Sequence, residues 1–127
     1  EEVADQIVSI QRFLFRVTGQ LASRDVKYVE PIEESDVQKL TEMIHKYESV
    51  VRLDGFVIPG STIASSKLDI CRTVARRAER RILTLSKNEH VDSVIVKYVN
   101  RLSDLLFILA RYEEYKSGKI VYKRDVE

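Results

Sequence analysis

The chain has 127 residues, with 21 Lys and Arg against 20 Asp and Glu, for a formal net charge of +1. That length is one domain at most, and it is enough to bury a core without disulfides or a structural metal. The balanced charge excludes a global attraction to nucleic acid or an acidic membrane, the single Cys71 excludes an internal disulfide and suits a reducing, cytoplasmic setting, and no apolar run is long enough to cross a bilayer.

Only four Gly and two Pro, with 32% charged residues, favour long helices with charged outer faces. The chain opens on Glu1-Glu2-Val3, already in helical register and without an initiator methionine, so a natural N-terminus is expected ahead of it. Val3, Ile7, Ile10, Leu14, Val17 and Leu21 step by four and three, which draws one apolar stripe on a helix from about residue 2 to 23. Phe13 and Phe15 flank and widen it, and Ser23-Arg24-Asp25 ends it. After a linker through Pro31, Ser35 or Glu34 opens a second helix with Glu33, Glu34 and Asp36 at its start, where the helix dipole favours acids. It carries Val37, Leu40, Ile44, Tyr47 and Val51 and ends near Arg52; residues 53–60 then form an apolar loop rich in breakers.

A third helix begins among the capping hydroxyls of residues 61–66, with an apolar face of Cys71, Val74, Ala75, Ala78, Ile82 and Leu85. Residues 86–89 connect it to a fourth, whose stripe is Val91, Val94, Ile95, Tyr98, Leu102, Leu105, Leu109 and Tyr112. The polar tail from Lys116 to Glu127 is expected to fray or to pack on a neighbour. The expected fold is all-α: a single domain over 1–127, an antiparallel bundle of four to five helices, ferritin-like in appearance.

Arg72, Arg76, Arg77, Arg80 and Arg81 lie within ten residues. Arg72, Arg76 and Arg80 form one ridge and Arg77 and Arg81 another, with Glu79 beside the first. Like charges four apart repel by about 0.2–0.5 kcal/mol per pair, so the row wants anions, carboxylates or solvent around it. A solvated basic face is one reading. The small Ala75 and Ala78 and the preceding apolar loop favour a docked ligand instead, and the planar guanidinium fork suits phosphate oxygens.

The stretch from Phe56 to Arg81, Phe-Val-Ile-Pro-Gly-Ser-Thr-Ile-Ala-Ser-Ser-Lys-Leu-Asp-Ile-Cys-Arg-Thr-Val-Ala-Arg-Arg-Ala-Glu-Arg-Arg, closely resembles the signature of PduO-type ATP:cob(I)alamin adenosyltransferases. Asn100-Arg101-Leu102-Ser103-Asp104-Leu105-Leu106-Phe107 resembles that family's second signature, and Ile10-Gln11 with Leu14-Phe15 is similar to its first helix. The likeness covers essentially the whole chain in order and spacing. It implies a helical bundle assembled as a homotrimer, with ATP bound at subunit interfaces. It implies transfer of the 5′-deoxyadenosyl group of ATP to the cobalt of cob(I)alamin, with Mg²⁺ accompanying ATP and no metal held directly by the protein. By the same resemblance, Arg72, Arg76 and Glu79 are catalytic positions, and Arg72, Arg76, Arg80 and Asn100 are ATP positions. Glu79 would orient the arginines. Asp104 is a position important for structure and activity, and Phe56 lies below the corrin and displaces its lower ligand. Residue character by itself favours Phe56 as a plug at the bundle end. The product would pass to a B12-dependent enzyme.

This chain departs from the pattern in places. The N-terminal phosphate loop and the acidic segment that pairs with an arginine across the interface are absent, Asp69 stands where many members have histidine, and Ser61 where many have a second glycine.

Three other readings compete with this one. A di-iron bundle needs two Glu-x-x-His pairs. Glu42 and His45 supply one, but His90 has Lys87 three residues before it. A protein-interaction module with an anion-binding arginine ridge is the alternative from another class, and nucleic-acid binding is disfavoured by the neutral total charge.

Overall fold

The computed structural model describes residues 2–23 and 26–126. Four helices carry the fold: α1 (Glu2–Ala22), α2 (Glu34–Val51), α3 (Ile63–Leu85) and α4 (Ser93–Lys116), followed by a 3-10 turn at Lys123–Asp125. The polar turn expected at Ser23-Arg24-Asp25 lies partly outside the described residues.

Consecutive helices run in opposite directions, as their end contacts show. Near the start of α1, Glu2 accepts from the Tyr47 and Tyr112 hydroxyls, on the last turns of α2 and α4. At the other end Gln20 donates to Asp92, ahead of α4, at 2.7 Å and accepts from the Ile32 N–H, ahead of α2, at 2.7 Å. Lys97 and Glu34 pair at the starts of α4 and α2.

α4 is the central element, packed on both α2 and α3. Its buried set includes Ile95, Tyr98, Val99, Leu102, Leu105, Leu106, Ile108, Leu109 and Ala110, apolar on more than one side, as a helix with neighbours on several faces requires. α1 contributes Val3, Ile10 and Val17, and Phe13 stacks on Tyr98 with ring centroids 5.9 Å apart. Leu14 is 37% exposed and Phe15 77% exposed, so the stripe of α1 is narrower than the spacing predicts and Phe15 does not widen it. α2 starts one residue ahead of Ser35, at Glu34: the Asp36 carboxylate accepts the Glu33 N–H at 2.9 Å and also pairs with Arg16 of α1 at 3.2 Å.

α3 departs most from expectation. It buries Ser65, Leu68, Ala75 and Ile82, whereas Cys71, Val74, Ala78 and Leu85 are exposed. Ala75 and Ile82 of the expected face are buried, but its other members point outward because α4 meets a stripe rotated toward Leu68, one that brings two charged side chains, Arg72 and Glu79, alongside. The tail is also neither frayed nor free. Ile58 N–H donates to the Val121 carbonyl and Lys123 N–H to the Phe56 carbonyl, both at 2.8 Å, so residues 120–123 clip the 53–60 loop through a short antiparallel bridge.

Candidate functional site

Along α3 the buried residues Leu68, Ala75 and Ile82 are seven apart, which is two turns less about 20°. Arg72 and Glu79 share that spacing and lie on the same side, so two charged side chains are brought against α4. Arg72 lines a cleft of about 560 Å³ with Thr41, Ile44 and Glu48 of α2 and Arg101, Asp104 and Phe107 of α4. Its guanidinium carbon is 5.2 Å from the Phe107 ring centroid. The Arg72 Nε is buried and has no hydrogen-bond partner among the described residues. An unmet buried donor costs about 1–3 kcal/mol.

The arginine ridge does not act as one row. Four residues of helix advance about 40° beyond a full turn, so Arg76 and Arg80 rotate away from Arg72 toward solvent. Arg76, Arg77, Arg80 and Arg81 are exposed, and none forms an ion pair with another described residue. The result is one inward guanidinium at a cleft, flanked by four outward ones.

Glu79 is paired differently from the expectation that it orients the arginines. Its Oε2 accepts from Asn100 Nδ2 at 3.0 Å, across the α3–α4 contact. The two line a groove of about 360 Å³ with Val37, Val96, Lys97 and Arg101. Glu79 therefore fixes the Asn100 amide at the groove wall. Asp104 pairs with Arg101 at 3.3 Å, one turn along the same helix.

Phe56 is 85% exposed, so it does not plug the bundle end. Its loop is held from behind. Gly55 takes φ +127°, a conformation that L side chains rarely adopt, and a Cβ there would come within 2.8 Å of Arg124 Nη1. Arg124 donates to the Asp54 carbonyl and lies 4.4 Å from the Tyr122 ring centroid. The structure thus presents an aromatic side chain to solvent on a backbone that is clipped at both neighbours.

Sequence reasoning missed one cluster. Arg111 is 1% exposed, and it donates to Asp69 Oδ2 at 2.6 Å and to Glu114 Oε1 at 2.8 Å. Glu114 is fully buried and accepts the Ser61 N–H at 3.4 Å. The available signal was the i, i+3 step that puts Arg111 and Glu114 in line with Leu105 and Ile108 on the buried side of α4.

The model of the cobalamin adenosyltransferase family matches residues 1–113. The chain is 35% identical over 128 residues to the corrinoid adenosyltransferase of Bacillus subtilis, covering 98% of this chain and 66% of that one. It is 43% identical over 98 residues to corrinoid adenosyltransferase MMAB of Mus musculus, covering 74% of this chain and 41% of that one. This chain therefore spans less than two thirds of these relatives' lengths. Among solved structures, it superposes with a TM-score of 0.88 at 31% identity on a variant of the PduO-type ATP:corrinoid adenosyltransferase of Lactobacillus reuteri complexed with cobalamin and ATP, covering 98% of this chain and 71% of that chain. A second variant of that protein, complexed with ATP, gives a TM-score of 0.84 at 31% identity over 96% of this chain and 71% of that one.

Proposed function

The chain belongs to the cobalamin adenosyltransferase family, and on that premise we propose that its protein transfers the 5′-deoxyadenosyl group of ATP to the cobalt of cob(I)alamin, giving adenosylcobalamin and triphosphate. The observation that carries the reading is Arg72: a half-buried guanidinium at a cleft, with an unmet donor and a flank of exposed arginines that have no ion-pair partner among the described residues.

Cob(I)alamin is a strong nucleophile, so the protein need not generate one. The cobalt electron pair attacks C5′ of the ribose, the C5′–O bond breaks, and its electrons leave on the triphosphate. The charge that develops there would be met by Arg72 from the cleft and by Arg76 and Arg80 from the solvent side of the helix; donors placed where charge grows stabilise the transition state. Asn100, held by Glu79, would position the nucleotide so that C5′ faces cobalt, an orientation benefit. Mg²⁺ supplies charge neutralisation on ATP's phosphates. It would enter with ATP, since Mg²⁺ is usually held by substrate phosphates and water. Phe56 would press on the lower face of the corrin, remove the axial ligand and make Co(II) easier to reduce.

The reading extends to a homotrimer with sites between subunits. Its support is the outward apolar side chains of α3, Ile63, Ile70 and Val74, which are 78%, 63% and 49% exposed. It extends also to a cytoplasmic protein that hands its product to a B12-dependent enzyme. Asp104, through Arg101, would keep the cleft wall in place.

The test is an anaerobic assay with cob(I)alamin and Mg-ATP, following the absorbance of adenosylcobalamin and the release of triphosphate. Stoichiometric appearance of both products supports the reading. ATP binding without alkyl transfer to cobalt overturns it and leaves the anion-binding interaction module in its place.

A further inference from the structure

We infer that Asp69, Arg111 and Glu114, together with Phe107, form a positioning unit that sets Arg72 for the polyphosphate and ties it to the head of the loop bearing Phe56. The inference rests on the proposed function for the identity of the ligand, but its structural basis is separate.

Four observations carry it. The Arg111 guanidinium is 1% exposed and spends its donors on Asp69 of α3 at 2.6 Å and on both oxygens of Glu114 at 2.8 and 3.3 Å. The Phe107 ring lies against two guanidiniums, 4.9 Å from Arg111 and 5.2 Å from Arg72. Glu114 also accepts the Ser61 N–H at 3.4 Å, the residue before the Thr62 that caps α3. And Arg72 Nε is buried with no partner among the described residues, so nothing polar fixes that fork; its only described neighbour of this kind is the ring.

Two carboxylates, Asp69 and Glu114, hold the Arg111 guanidinium, and the Phe107 ring contacts both Arg111 and Arg72. Neutralising Asp69 leaves Arg111 held by Glu114 alone, which frees its fork to swing and releases the ring on which Arg72 rests. A buried charge is held in place only while its partners stay in geometry.

The discriminating experiment measures Mg-ATP affinity by titration calorimetry and steady-state kinetics with cob(I)alamin in the full-length protein, its Asp69→Asn variant and its Phe107→Leu variant. Asp69 is 22% exposed and Asn keeps an acceptor, so the fold is retained. A lost charge-assisted contact predicts about a tenfold weaker Kd for ATP and a KM for ATP raised in step. The kcat should stay within about twofold, because the phosphate grip and not the reacting geometry is disturbed. Phe107→Leu should give the same split, and Asp69→Glu should restore most of the affinity. An unchanged Kd in Asp69→Asn overturns the inference. So does a fall in kcat alone that tracks a loss of folded protein by circular dichroism. If the parent protein binds ATP but alkylates no cobalt, the proposed function fails while the positioning unit still stands or falls on the Asp69→Asn titration. If the parent binds no ATP, both fail.

Discussion

The Asn100 side-chain amide donates to the Glu79 carboxylate at 3.0 Å, joining the two signature segments of the chain across the α3–α4 contact. The pair is partly buried, and a hydrogen bond to a charged acceptor is worth about 1.5–3 kcal/mol. Glu79→Ala releases the amide, so kcat/KM for ATP should fall by about 10- to 100-fold, a loss that Asn100→Ala repeats. Because both variants break one contact, the double variant should lose little more than either alone. A double-variant loss equal to the sum of the single losses would separate the two residues into independent roles.

Arg76 is exposed and unpaired among the described residues, so its side chain contributes little to folding. Arg76→Ala should therefore leave the melting temperature within about 1 °C. Turnover should drop by at least about 100-fold if the residue meets charge on the departing triphosphate. Arg77→Ala, on the other edge of the helix, serves as the control and should stay within a few-fold of the parent. Near-normal activity of Arg76→Ala with free cob(I)alamin removes it from the site.

Phe56 separates two steps. An 85% exposed ring can be truncated without opening a core cavity, so Phe56→Ala should fold as the parent does. The expected defect is confined to the route that begins from cob(II)alamin and a reductant, while alkyl transfer from pre-reduced cob(I)alamin and the Kd for ATP change by less than about threefold. Rates that fall equally from both cobalt states would show that the ring acts on binding and not on the axial ligand.

Tyr98 makes the stability sensitive to alkali. Burial pushes its hydroxyl up from 10.0 to about 12, helped by the nearby Asp36 carboxylate and opposed by Arg16. The folded state then holds a proton that the unfolded chain gives up. The corresponding stability is complete below about pH 10 and is lost as pH rises through about 12, for a total on the order of 2–3 kcal/mol. Urea midpoints measured at pH 9 and pH 11 should show a drop in the parent that is clearly smaller in Tyr98→Phe. Equal drops in the two proteins would place the alkaline sensitivity elsewhere, for example at Tyr47, whose hydroxyl is also raised by burial and by its bond to Glu2.

The sequence by itself determined the helices, their order and the family. Each helix writes its own periodicity into some twenty residues, and breakers such as Gly55, Pro59 and Gly60 mark the gaps, so local spacing suffices. The paired signatures around Arg76 and Asn100 named the family before any coordinates, and Tyr98, Leu102, Leu105 and Leu109 fell in the core where their stripe put them. What local spacing does not contain is the choice of partner. On α3, periodicity placed Ala75 and Ile82 correctly in the core but also put Cys71, Val74, Ala78 and Leu85 there. The buried stripe is rotated from that one, because α4 offers Phe107, Asn100 and Arg111 as matching surface for Arg72, Glu79 and Asp69.

The same limit explains the tail and the buried ion cluster. The 121–123 segment meets the loop at 56–58 through backbone groups, which carry no sequence signature. Arg111 meets Asp69 across 42 positions and Glu114 meets Ser61 across 53. A buried charge is tolerable only where partners converge on it, and convergence is a property of the folded chain. Residue spacing showed the row of arginines; only the packing of α3 on α4 decided that Arg72 turns inward against Phe107.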